Sequence, residues 1–364
     1  MPEARVPANV PEADEFEISV FGGGYGECVC IHFGEGSWAI IDSFVNPVTN
    51  APVALDYLDS LGLDPNDSVR LVIASHWDDD HIQGISKIAK ECSKAKVVIS
   101  GALSRRDVRN FVATRSKAKS SFGSGLSEMV GLIQTAQSEG RLVWASANKV
   151  LWTKGLVTTS PVFVALSPSE DTIGRSIEWL VGEATSKRVP LSLRYRAPDK
   201  PNGVSVVGFV NALGQQALFG ADLENTPNPE GGWDAVVSHS NPGIKASAFK
   251  IPHHGSKTSH NEGVWMELIE DDPLSIVSPW TNGGTTLPSN DNLDYLLGKS
   301  GELFLTAPPL TRKATITPDI DRLIRRMHGD EVRELVGMGH VRARRNSSDR
   351  RWLVDSFGDA AEIR

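Results

Sequence analysis

His76-Trp77-Asp78-Asp79-Asp80-His81 sets two imidazoles and three carboxylates in six consecutive residues. The apolar run Leu71 to Ala74 precedes it with the pattern of a buried strand, and Ile82 to Glu91 follows with the spacing of a helix. Imidazole and carboxylate together are the donors that zinc, manganese and iron take from proteins. A strand-to-helix corner that collects so many of them reads as part of a metal centre. Read instead as a solvated acidic turn, it leaves two matching clusters downstream unexplained.

The first of these is Ile251-Pro252-His253-His254-Gly255-Ser256. The second is Leu218-Phe219-Gly220-Ala221-Asp222, where an acid arrives just past a strand-like run, as Asp42 does after Trp38 to Ile41. A divalent ion takes about three to six donors, and strand ends along one sheet edge are where donors distant in sequence converge. Neighbours on an extended segment point opposite ways, so one of His253 and His254 faces the ion and the other supports the pocket. The residues alone do not choose between them. His32, His328 and His340 read as structural, and His239 and His260 as loop residues.

Around the clusters the chain alternates strands with helices. Phe16 to Phe21, Cys28 to Phe33 and Trp38 to Ile41 form a meander punctuated by Gly22-Gly23-Gly24 and Gly34-Glu35-Gly36. The glycine triplet is not a phosphate loop, because a strand follows it. Val53 to Leu61, Leu103 to Thr114, Leu126 to Glu139 and Ile320 to Met327 read as helices, and Lys117 to Gly125 as an exposed Ser-, Gly- and Lys-rich loop. Lys96 to Ser100, Val162 to Leu166, Ile276 to Ser278 and Leu303 to Thr306 read as strands. Val204 to Val210 with Gln216 to Phe219, and His340 to Arg345 with Trp352 to Phe357, read as hairpins, while Ile173 to Glu183 stays undecided. Two halves of similar make-up meet near Leu166, which implies an α/β four-layer sandwich with the chemistry at its seam.

At 364 residues, 40% hydrophobic and 23% charged, the chain has the composition of an ordinary globular protein. The first fifteen residues are polar and acidic, and no apolar run approaches the roughly 18 residues of a membrane span. Cys28, Cys30 and Cys92 make neither a disulfide framework nor a zinc spacing, and read as reduced residues of a cytoplasmic protein. The net charge of −8 argues against a wholly nucleic-acid-binding surface. Basic residues nonetheless cluster at Arg105, Arg106, Arg109, Arg115, Lys117 and Lys119, and again at Arg342, Arg344, Arg345, Arg350 and Arg351. These read either as solvated faces or as walls beside the acidic site.

The ordered set Asp42, Ser75-His76-x-Asp78-x-Asp80-His81, Asn202-Gly-Val-Ser205, Gly220-Ala-Asp222 and His253-His254-Gly255-Ser256 resembles the metallo-β-lactamase superfamily. Its nearest likeness is the hydrolase domain of ComEC-type DNA-uptake proteins, and the match spans about Glu17 to Leu310. The resemblance implies an αββα sandwich over residues 15–310, after a flexible N-terminus at 1–14 and before a C-terminal helix and hairpin extension at 311–364. It implies two divalent ions, zinc or manganese. His76 and Asp78 would serve the first; Asp80 and His81 would serve the second with His253 or His254; Asp222 would bridge them. Asp80 would hold the attacking hydroxide, and Asp42 would orient a ligand or the water. Three departures stand out. Asp78 replaces the histidine of the wider superfamily, no histidine lies between His81 and Asp222, and Leu287 stands before Pro288 where the branch often has histidine. An oxygen-rich first position follows, suited to manganese or magnesium.

The resemblance implies a phosphodiesterase, foremost a DNA or RNA nuclease, with Arg105, Arg106, Arg109, Ser256 and Lys257 as substrate-binding residues. Its alternatives are a phosphoesterase acting on a small cyclic or modified nucleotide and a catalytically silent binding module. The chain carries no channel segment, so the expectation is a free-standing cytoplasmic hydrolase, with nucleic acid as partner and room for an activating protein.

Overall fold

Side chains alternate along the first strand: Phe16, Ile18 and Val20 enter one apolar cluster while Phe21 enters another on the opposite face. That alternation, repeated through the chain, builds two sheets whose central strands are buried on both faces. The computed structural model describes residues 9–104, 125–155, 161–185, 201–240, 242–282, 284–308, 338–349 and 351–364.

The first sheet contains β1 (Glu15–Gly22), β2 (Glu27–His32), β3 (Trp38–Ile41), β4 (Val69–Ala74), β5 (Lys96–Ser100) and β6 (Leu142–Ala145). It is completed by β16 (Gly339–Asn346) and β17 (Leu353–Phe357), in the order β17-β16-β1-β2-β3-β4-β5-β6. The second contains β7 (Lys149–Thr153), β8 (Val162–Ala165), β9 (Gly208–Ala212), β10 (Gln215–Phe219), β11 (Ala246–Lys250) and β12 (Ile269–Val277). With β15 (Glu302–Leu305) and β18 (Ala361–Ile363) its order is β18-β15-β12-β11-β10-β9-β8-β7. A two-stranded ribbon, β13 (Trp280–Asn282) and β14 (Thr285–Leu287), stands apart.

Three apolar clusters separate four layers. Phe16, Ile18, Leu71 and Ile73 meet Phe163, Phe219 and Ile276 between the sheets. Trp38, Ile40, Val72 and Val97 pack under α1 (Val53–Ser60), α4 (Ile85–Glu91) and α5 (Gly125–Ser138). Leu218, Phe249 and Leu303 pack under α7 (Gly232–His239), α8 (Glu262–Glu267) and α9 (Asn290–Leu297). The short α2 (Pro65–Ser68) and α3 (Asp79–Ile82) and the longer α6 (Glu170–Thr185) complete the helices described. β4 feeds both inner clusters, which is why it reads as a continuous apolar run rather than an alternating one. The architecture is the expected αββα sandwich.

Several sequence expectations shift. The helix read over Ile82 to Glu91 is split at Gln83-Gly84, because the loop after β3 takes its carbonyls: Ser43 N donates to His81 O (2.7 Å) and Ser43 Oγ to Gln83 O (2.8 Å). Gly84 has φ +82°, and a Cβ there would stand 3.0 Å from Pro52. The undecided segment at 173–183 belongs to α6, and the strand expected from Val204 starts only at Gly208, after a 3-10 turn at Pro201–Val204. β6, β7, β18 and α7 to α9 were not foreseen. The terminal hairpin forms, and it is part of the sandwich: β16 pairs with β1 from Glu15↔Asn346 to Gly22↔Gly339, while β18 pairs with β15 in the other sheet. The expected helix at 320–327, most of the one at 103–114 and the loop at 117–124 lie outside the described residues.

Candidate metal centre

β3 and β4 run parallel, as do β10 and β11. Each pair therefore releases its chain at the same sheet edge. Asp42 and Ser75-His76 leave the first sheet there; Asp222 and His253-His254 leave the second. α3 then carries Asp80 and His81 back toward them. Of nine left-handed non-glycine residues among those described, four are Asp42, Ala221, His253 and His254 (φ +60°, +45°, +47° and +52°). Each such conformation costs on the order of 1–2 kcal/mol, and strain of this kind gathers where side chains must be aimed.

Asp42 is buried and committed. Its Oδ1 accepts from Ser75 N (2.8 Å), and its Oδ2 accepts from Ser75 Oγ (2.6 Å) and stands 2.8 Å from His81 Nδ1. The hydrogen bond from Nδ1 leaves His81 Nε2 facing the cluster. That atom lies 3.3 Å from Asp222 Oδ1, 3.9 Å from Asp80 Oδ2 and 3.4 Å from His254 Nε2. His254 is aimed in the same way: Nδ1 donates to Ser278 O (2.8 Å), while Nε2 sits 3.4 Å from Asp80 Oδ2 and 3.6 Å from Asp222 Oδ2. His76 Nε2 lies 3.7 Å from Asp78 Oδ2 and 4.0 Å from Asp222 Oδ2. Both His76 Nε2 and Asp222 Oδ1 are buried without a hydrogen-bond partner. Asp42, His76 and His81 also bring donor atoms within 4.8 Å of one another, but Asp42 spends its oxygens on Ser75 and His81.

The electrostatics suit a divalent cation. Burial disfavours the charged form of His81, yet Asp222 and Asp80 outweigh it and hold the imidazole pKa well above its usual value. His254 is raised against the same burial by Asp222, Asp80 and Glu27. Asp80 is lowered to about 2 and Asp222 well below the carboxylate range, in both cases by His81 and His254 against burial. Asp78, half-exposed, is raised, first by desolvation and then by Asp80 and Asp222. The shifts share one cause, a carboxylate-rich pocket that favours positive charge, which a divalent ion would supply.

The other sequence candidates lie elsewhere. His253 stands outside the cluster, with Nδ1 3.0 Å from both Glu224 Oε1 and Thr258 Oγ1, and Nε2 3.3 Å from Asn202 Nδ2. Asp79 turns away and caps α5 by accepting from Gly125 N; a Cβ on Gly125 would meet Trp77 O at 2.4 Å. Ser256 is buried and caps the next turn through Thr258 N, while Lys257 is exposed. Leu287 sits in β14, opposite Trp280. Arg105, Arg106 and Arg109 lie outside the described residues. Of the C-terminal basic cluster, Arg342 and Arg344 are neither a solvated face nor a wall of the site, being buried and paired with Asp355 and Glu17, whereas Arg351 is exposed and Arg350 lies outside the described residues. Around the centre the sequence reading missed Tyr25, Glu27, Glu224, Lys250 and Trp280. The signal for Lys250 was a lone cation closing an apolar strand just before the paired histidines.

No family model matches the chain, and no curated protein does. Among solved structures it is similar to the metallo-beta-lactamase fold protein YhfI from Bacillus subtilis, at 12% identity over 65% of this chain and 70% of that one, with a TM-score of 0.31. It is similar to the metallo-beta-lactamase SMB-1 bound to 2-mercaptoethanesulfonate at 13% identity over 59% and 67%, with a TM-score of 0.33. A flavoprotein from Thermotoga maritima is similar at 14% identity over 57% and 34%, with a TM-score of 0.26. Among the described residues no helix is long and apolar enough to cross a membrane.

Proposed function

We propose that this protein is a metal-dependent hydrolase of phosphodiester bonds whose substrate is DNA or RNA. The observation that carries the reading is the convergence of His76, Asp78, Asp80, His81, Asp222 and His254, with His76 Nε2 and Asp222 Oδ1 buried and unpartnered. An unsatisfied buried polar atom costs about 1–3 kcal/mol, and a coordinated ion removes that cost at both atoms. His76, Asp78 and Asp222 make an oxygen-rich position suited to manganese or magnesium; Asp80, His81, His254 and Asp222 make a second position richer in nitrogen. Divalent ions held there would activate a water and neutralise charge on the phosphoryl oxygens.

The chain's own groups do the rest. Asp42 fixes the ring of His81, and Ser278 O fixes that of His254. Asp80 orients the attacking water toward phosphorus. Tyr25, 42% exposed, has its phenol pushed up to about 12 by burial and by Asp80, Asp79 and Asp78, which marks it as a neighbour of the carboxylates; protonated at neutral pH as any phenol is, it would donate to a phosphoryl oxygen. The test is cleavage of labelled single- and double-stranded DNA with added Mn²⁺, beside Asp80→Ala. Cleavage that the substitution removes is the expected result, and cleavage surviving it overturns the assignment.

One observation favours a smaller substrate. With Arg344 buried against Glu17 and the buried Arg342 paired to Asp355, the described surface offers less basic area for a polynucleotide than the sequence suggested. Turnover of a cyclic or modified nucleotide without cleavage of DNA or RNA would select that reading.

A further inference from the structure

We infer that Glu27 and Lys250 are positioning residues of the metal centre, a buried charge pair across the seam between the sheets that fixes His254 in place. The inference rests on reading the centre as a metal site. Glu27 opens β2 in the first sheet, and Lys250 closes β11 in the second. They are 2% and 3% exposed, and Lys250 Nζ donates directly to Glu27 Oε2. The same carboxylate oxygen lies 3.7 Å from His254 Nδ1. Lys250 is in register with Phe219, three residues before Asp222, and its carbonyl accepts from Gly220 N (3.1 Å).

Through β2, β3 and β4 the glutamate belongs to the ladder that delivers His76 and His81. Through β11 and β10 the lysine belongs to the strands that deliver His254 and Asp222. The pair therefore fastens the two halves of the donor set to each other, where His81 Nε2 and His254 Nε2 stand 3.4 Å apart. A fixed negative charge beside His254 Nδ1 also keeps the proton on that nitrogen, bonded to Ser278 O, and leaves Nε2 free to bind. Fold stability alone does not account for it, since well-packed apolar residues often replace a buried ion pair at no cost. Its position at the seam behind His254 does.

The experiment measures Mn²⁺ and Zn²⁺ affinity and stoichiometry on the metal-stripped full-length chain, with thermal melting of the metal-free form in parallel. It compares the unaltered protein, Glu27→Gln, and the double variant Glu27→Leu with Lys250→Met. The double variant removes both charges together and so strands neither. The expected result is metal-free melting close to the unaltered protein with roughly a 10–100-fold loss of affinity for one ion, and the same loss in Glu27→Gln. Unchanged affinity in the folded variants overturns the inference and leaves the phosphodiesterase reading standing. A double variant that melts far below the unaltered protein also overturns it, because the pair then serves the fold. An unaltered protein that binds neither ion overturns both readings.

Discussion

Two polar clusters, one on the first sheet and one at the seam between the sheets, obey opposite rules. On the outer face of the first sheet, Tyr57 Oη and Ser19 Oγ donate to Glu17 Oε1 (2.6 and 2.7 Å), Arg344 Nε donates to Glu17 Oε2 (2.7 Å), and Arg342 donates to Asp355 Oδ2 (2.6 Å). Donors meet acceptors there, and positive charge meets negative. Beside that cluster His340 packs as a flat ring, stacked on Phe21 (4.2 Å) and Phe357 (5.1 Å), with burial and the two arginines holding its pKa well below the usual value; among the described residues its two ring nitrogens have no hydrogen-bond partner, but they meet no group of carboxylates. At the seam, by contrast, three imidazoles and three carboxylates leave lone pairs over. Buried polar groups in folded proteins are normally satisfied. The matched cluster is a fastening, and the mismatched one is a place for a cation.

The sharpest way to break this comparison is Asp80→Ala. Metal-dependent turnover should fall by more than the roughly 100-fold that losing an outer hydrogen-bond partner costs, with a much smaller relative loss of metal-free stability from the carboxylate's pairing with His81 and His254. Next is Glu17→Leu, which takes from Arg344 its closest carboxylate and leaves it Glu15 Oε2 (3.6 Å) and Asn9 O (2.7 Å) in the matched cluster. Unfolding free energy should drop by about 3–5 kcal/mol in a denaturant titration, with metal affinity per folded molecule unchanged; a loss of affinity would mean the two clusters are coupled. His254→Ala should then cost one bound ion in a stoichiometry measurement, whereas His253→Ala should retain both. If the two variants behave alike, the sorting of the paired histidines is mistaken.

The smallest effect is on pH dependence. His81 and His254 are raised in the folded metal-free protein, so the stability they contribute is complete below their ordinary value of 6.5 and is lost as pH rises through their raised values. Asp80, lowered to about 2, contributes stability that is present above 3.8 and lost as pH falls through about 2. Melting of the metal-free protein should therefore be highest in weak acid and decline on the alkaline side. Added Mn²⁺ should reverse that decline, because metal binding requires unprotonated imidazole. Thermal melts from about pH 5 to 9, with and without metal, check both slopes; a flat alkaline limb without metal counts against the charge state described.

Much of the architecture was legible because its signals are local. β1 to β5, α1 and α5 follow from alternation, apolar runs and glycine punctuation that act within a few residues. The split at Gln83-Gly84 was not legible, since it depends on Ser43 arriving from another loop. Short edge elements such as β6 and β18 carry too few residues to show a period, and they are held by neighbours rather than by propensity. Among the donors, the spacing of His76, Asp78, Asp80 and His81 marks residues that the fold brings together, whereas Arg344 looked like surface charge because its partner Glu17 lies over 300 residues away, and Arg342 because its pairing with Asp355 depends on the β16–β17 hairpin.

The sequence by itself determined the layered α/β class and the chemical types of the donors, because hydrophobic period and side-chain chemistry are properties of short stretches. The tertiary structure alone decided that His254 and not His253 faces the cluster, that Asp79 caps a helix, and that β16 closes the first sheet beside β1. It alone joined Glu27 to Lys250 behind His254. Those outcomes depend on which strands become neighbours and on which backbone turn each residue takes at a strand end. Both are settled by packing between segments far apart in the chain, where no local pattern reaches.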